Sequence, residues 1–73
     1  MNHKIVLKED FIKLGQALKA AHICMSGGEA KEMILEGLVS VNNEKELRRG
    51  RKLFAGDRVL IGEDVIIISE KDD

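Results

Sequence analysis

The sequence predicts an α+β fold, a two-helix (helix–turn–helix) layer packed on a small, mainly antiparallel β-sheet. Two stretches repeat apolar residues at helical spacing: Phe11, Leu14, Leu18 and Ala21 in the first, Ala30, Met33 and Ile34 in the second. Three later runs rich in Val, Ile and Leu are separated by turn signals. A chain of 73 residues has room for little more than one core, so the helices and strands have to cover each other.

The elements follow in order. Residues 3–8, His-Lys-Ile-Val-Leu-Lys, are short and β-prone and read as a strand. Asp10 is placed to cap a helix over residues 11–21. Gly15 inside that helix costs about 1 kcal/mol relative to Ala, and the usual reason to keep such a glycine is close approach of another backbone. Residues 22–25, His-Ile-Cys-Met, form an apolar connector, with Cys24 packed and Met25 and Met33 as core filler. Ser26 and Glu29 have the spacing of a capping box for a second helix, which stops at Gly37. Residues 38–42 alternate as a strand, and Asn42-Asn43 signals a turn because Asn tolerates the left-handed region. A basic loop follows, with Leu53 and Phe54 tucking it onto the body. Residues 58–61 and 65–69 form the last two strands around a Gly-Glu-Asp turn. Residues 1–73 read as one domain with a core over 11–69, and 70–73 as a frayed acidic tail.

Charge distribution says more about partners than the net charge of -1. Residues 45–58 hold six cations and two anions, a local +4, whereas residues 63–73 hold five anions and one cation. Four of the five residues from 48 to 52 are cationic: Arg48, Arg49, Arg51 and Lys52. Like charges repel, so folding alone gives little reason to gather them, whereas regularly spaced phosphates do. Arg adds a planar fork of donors suited to phosphate and base edges. Read by itself, the run also fits a solvated basic loop. Gly27 and Gly28 sit at the start of the second helix, where backbone N–H groups and the helix dipole favour an anion, with Lys31 one turn along. Ser26 and Glu29 satisfy part of that terminus, so a pure cap is the competing reading.

Other function classes find little support. Only Phe11 and Phe54 are aromatic, so a row of stacked bases on an aromatic platform is excluded. No apolar run is long enough for a bilayer span and the N-terminus lacks a signal-peptide core, so no membrane partner is expected. One cysteine excludes an internal disulfide framework and fits a reducing cytoplasm. His22 and Cys24 are half a metal site without a second pair, and no acid, base and nucleophile cluster at useful spacing. No cofactor, metal or catalytic residue is therefore expected. Helix two, with Glu29, Glu32 and Glu36 against Lys31, is a poor major-groove reader.

The order of elements, with Ser-Gly-Gly-Glu-Ala-Lys at 26–31, Glu-Gly-Leu-Val-Ser-Val-Asn at 36–42 and Ala-Gly-Asp-Arg-Val at 55–59, resembles the S4-like RNA-binding domain family. Leu-Gly-Gln at 14–16 and Arg-Arg-Gly-Arg-Lys-Leu at 48–53 are similar to its small free-standing bacterial members, the YaaA type. The resemblance implies RNA binding on the face made by the helices and the following loop, without catalysis, and a setting in ribosomal RNA or ribosome assembly. The partner expected is RNA, ribosomal first and tRNA-like structured RNA next, bound by a monomer at the ribosome. Many members carry an Arg-rich start to the first helix and basic residues before the second. Here those regions read Phe-Ile-Lys at 11–13 and Gly-Gly at 27–28, which moves the expected contacts toward Arg48, Arg49, Arg51 and Lys52. Lys13, Gln16 and Asn42 are second-rank candidates, and for Asn42 a turn role competes. The alternative function is an adaptor whose basic loop docks an acidic protein surface.

Overall fold

The computed structural model of the protein describes residues 1–70. Among the described residues, seven strands and two helices follow in the order β1 (Asn2–Val6), β2 (Ile12–Lys13), α1 (Leu14–Ala20), α2 (Gly27–Leu35), β3 (Val39–Val41), β4 (Glu44–Lys45), β5 (Lys52–Leu53), β6 (Arg58–Ile61) and β7 (Asp64–Ser69). Five of the strands form one sheet in the order β1-β7-β6-β3-β4, and β2 pairs with β5 in a separate ribbon. The expected α+β architecture is present. The sheet is antiparallel except that β1 runs parallel to β7, with Asn2 opposite Val65 and Val6 opposite Ser69. The acidic tail expected over 70–73 lies, beyond Glu70, outside the described residues.

Period-two alternation explains the sheet. In β6, Val59 and Ile61 are buried while Arg58 is exposed, and Val39, Val41, Ile66 and Ile68 point to the same covered side. Leu14, Ala17, Leu18, Ala30 and Ile34 on the helices complete this core. Each large aliphatic side chain buried there contributes about 1.5–3 kcal/mol. The Asn42-Asn43 turn has φ of 51° and 71°, two left-handed residues in succession, and this joins β3 to β4 as a hairpin.

Three local expectations are corrected. The first helix starts at Leu14, not at Phe11, and Asp10 does not cap it. Ile12 and Lys13 pair with Leu53 and Lys52 instead, and the first N–H groups of α1 are taken by the basic loop. Leu14 N–H donates to the Arg51 carbonyl at 2.8 Å and Gly15 N–H to the Arg49 carbonyl at 3.0 Å. Carbonyls of a distant loop thus take these first N–H groups, beside the local bond from Lys13 N–H to the Gln16 side chain. Met25 is 80% exposed, because the connector turns Cys24 inward and Met25 outward. Met33 does pack against the core, with its sulfur 3.2 Å from the Cys24 thiol. Phe54 stays half exposed; Leu53 alone anchors the loop in the core.

The second helix begins and ends as its residues dictate. Ser26 Oγ accepts from Glu29 N–H at 3.2 Å. The Glu29 carboxylate reaches back to Met25 N–H at 3.4 Å, one residue earlier than a standard capping box. Gly37, at φ 80°, donates to Ile34, and Leu38 donates to Met33, which is the Schellman closure.

Candidate nucleic-acid interface

The basic loop is a built structure held from beneath by one carboxylate. Glu46 is 6% exposed. It accepts from the backbone N–H of Leu47 and Arg48, from Arg48 Nε and Nη2 at 3.0 and 3.2 Å, and from Arg51 Nη1 at 2.9 Å. Its own N–H donates to the Val39 carbonyl, tying the loop to the sheet. The Arg48 and Arg51 guanidiniums hold the Glu46 carboxyl well below its ordinary range, at about 2, against the opposing pull of burial. Two of the four predicted loop cations therefore have an intramolecular partner. Arg48 keeps a largely exposed side chain and so still faces solvent, whereas Arg51 is mostly covered.

The loop then folds over the start of α1. Gly15 is buried, and a Cβ there would sit 2.6 Å from Arg49 Cγ. The close approach expected at this glycine is present, made by the Arg49 side chain and by its carbonyl. Packing of loop on helix opens a groove of about 330 Å³ lined by Lys13, Gly15, Gln16, Lys19, Gly27, Arg49 and Gly50. Lys13 comes from β2, Gln16 and Lys19 from successive turns of α1, Gly27 from the first turn of α2, and Arg49 from the loop. Gln16 Oε1 accepts from Lys13 N–H at 3.2 Å, which fixes the side chain at the groove wall and leaves its amide NH₂ to donate. Nothing lies within 4 Å of a Cβ placed on Gly27 or Gly50, so both backbones are open to a ligand.

The structure thus gathers four of the predicted residues, Lys13, Gln16, Gly27 and Arg49, on one concavity. The others stand elsewhere. Gly28 and Lys31 are exposed on α2 without lining the groove. Lys52 lies 4.8 Å from the centroid of the Phe11 ring. Asn42 is a turn residue in its side chain as well as its backbone: its amide donates to Asp57 Oδ1 and its oxygen accepts from Arg58 N–H, both at 3.0 Å. Sequence reasoning missed Lys19 and Glu46. Lys19 follows Gln16 by three positions on one helix face, a signal present in the sequence. Glu46 shows no such signal, since a glutamate among five cations reads as charge balance until its burial is known.

Compared with known proteins, residues 5–69 match the model of the S4 domain family. Over 61 residues the chain is 48% identical to the probable ribosome maturation protein RlbA of Bacillus subtilis (strain 168), covering 84% of this chain and 86% of the relative. The span matched by the family, residues 5–69, takes in both helices, the five strands of the main sheet apart from the start of β1, and the Glu46-anchored loop. The chain belongs to the S4 domain family.

Proposed function

We propose that the protein is a non-enzymatic RNA-binding module that docks structured RNA, ribosomal RNA first, during ribosome maturation. The observation that carries this reading is the convergence of Lys13, Lys19 and Arg49 on one groove beside the open backbone of Gly27 and Gly50. Three cations and a helix N-terminus suit a phosphate backbone, since each neutralised phosphate releases counterions. Arg48, with a largely exposed side chain, supplies a further contact. Selectivity follows shape, because a concave groove of fixed width reads backbone geometry more readily than base sequence. Membership of the S4 domain family and likeness to a probable ribosome maturation protein support the ribosomal setting.

The test is RNA binding by the purified protein across a salt titration, with structured ribosomal RNA fragments and duplex DNA compared. About four phosphate contacts predict a log–log salt slope of roughly -3 to -4 for the wild type. Changing Lys13, Lys19 and Arg49 together to Ala should abolish tight binding in a chain that still folds. Equal affinity for DNA, or a triple variant with unchanged affinity and slope, refutes the reading. Failure of purified RNA to bind at low salt would shift the function to an adaptor docking an acidic protein surface.

A further inference from the structure

A second groove, of about 550 Å³, adjoins the first, and Gln16 borders both. It runs between β1 and α1, with Phe11 and Ile12 as apolar wall and Lys4, Lys8 and Glu9 along it. Its volume falls within the range of small-ligand clefts, about 300–1,000 Å³. The only two aromatic residues of the chain, distant in sequence, meet here, and Phe11 lines the groove. The Phe11 and Phe54 rings have centroids 6.0 Å apart and are tilted by 51°, and Lys52 Nζ lies 4.8 Å from the Phe11 centroid. Folding thus sets an aromatic ring in the wall of a groove that shares Gln16 with the first.

We infer that this second groove takes an unpaired nucleotide base from the RNA whose backbone lies in the first. The inference rests on the RNA reading and adds a substrate class to it: structured RNA carrying an extrahelical nucleotide. The chemistry of the groove fits a base. An aromatic ring offers a stacking surface to any base, and sequence-tolerant stacking on such rings is a common way of holding unstacked nucleotides. The Gln16 amide NH₂ donates to a ring nitrogen or carbonyl, and the Glu9 carboxylate accepts from an exocyclic amine. Lys8, exposed along the groove, suits a phosphate flanking the extruded nucleotide. A base inside a duplex cannot reach the ring without being unpaired and unstacked, so one already unpaired is favoured. A single aromatic pair holds one base, and this differs from the multi-base platform that the composition excludes.

The experiment compares a blunt RNA duplex with the same duplex carrying one bulged 2-aminopurine, using the full chain and its Phe11→Leu variant. The wild type should bind the bulged duplex about tenfold more tightly, and the 2-aminopurine fluorescence should change on binding as the base exchanges its neighbours in the RNA for the groove. Phe11→Leu should lose the preference and the fluorescence change while holding the blunt duplex as the wild type does. Equal affinity of the wild type for both duplexes overturns the inference, as does unchanged fluorescence in the bound state, a readout that needs no variant. A preference that survives in Phe11→Leu also overturns it. In these three cases the RNA reading stands. If neither duplex binds at low salt, the RNA reading itself falls and the base site falls with it.

Discussion

Replacing Glu46 by Gln removes the charge on which the loop is built and keeps the side chain's shape. In the wild type this one carboxylate accepts five hydrogen bonds, three of them from guanidinium groups. A carboxyl lowered from 4.5 to about 2 corresponds to roughly 3 kcal/mol of stability at neutral pH. Screening by solvent around the exposed Arg48 reduces this to about 2 kcal/mol. In a domain of this size that is a fall in Tm of about 10 °C. The direction with pH follows from the depressed folded-state value. The contribution is complete above the unfolded value of 4.5 and is lost as pH falls toward 2. Thermal unfolding followed by circular dichroism, wild type against Glu46→Gln between pH 7 and pH 2, should show a large gap that closes across that window. RNA affinity provides a second sign. Charge alone predicts tighter binding, because the variant loses one negative charge, whereas loss of loop organisation predicts weaker binding at equal salt. A Tm within about 2 °C of wild type at pH 7, or a gap that does not change with pH, refutes the account of the loop. Tighter RNA binding would refute its role in placing Arg49.

Two further substitutions separate groove from scaffold. Gly15→Ala recovers about 1 kcal/mol of helix propensity but drives a methyl to 2.6 Å from Arg49 Cγ, an overpacking of about 1–3 kcal/mol. A net loss of about 1 kcal/mol by urea unfolding and a severalfold drop in RNA affinity are expected, and unchanged affinity would show that Arg49 is not needed where it sits. Asn42→Ala loses two side-chain hydrogen bonds and replaces Asn, which tolerates the left-handed region, at φ 51°, for about 2 kcal/mol of destabilisation. Asn42→Gly should recover about half of that, and both should bind RNA as the wild type does; weakened binding in a folded Asn42 variant would return Asn42 to the interface.

The fold was largely legible because its signals are local. The cap at Ser26, the stop at Gly37, the Asn42-Asn43 turn and the alternation of β3, β6 and β7 each depend on residues a few positions apart. The start of α1 was not legible, because its N–H groups are satisfied by Arg49 and Arg51 carbonyls more than thirty positions away. Met25 was misjudged for a comparable reason, since the direction in which a connector turns depends on what the elements at its two ends pack against.

For the candidate site the division is sharper. The sequence alone determined that cations cluster over residues 45–58, that Gly27 opens a helix and that the elements run in the order of an S4-like domain. It could not rank the cations, because charge is a property of composition and availability is a property of burial. Tertiary structure decided that Arg48 and Arg51 close on the buried Glu46, while Arg49 joins Lys13 and Lys19 across a groove. It also brought Phe11 and Phe54 within 6.0 Å, with Phe11 in the wall of the second groove. The physical reason is the same in each case: a hydrogen bond or ring contact between distant residues forms only after the core has fixed their elements, and no local pattern encodes which partner each side chain will meet.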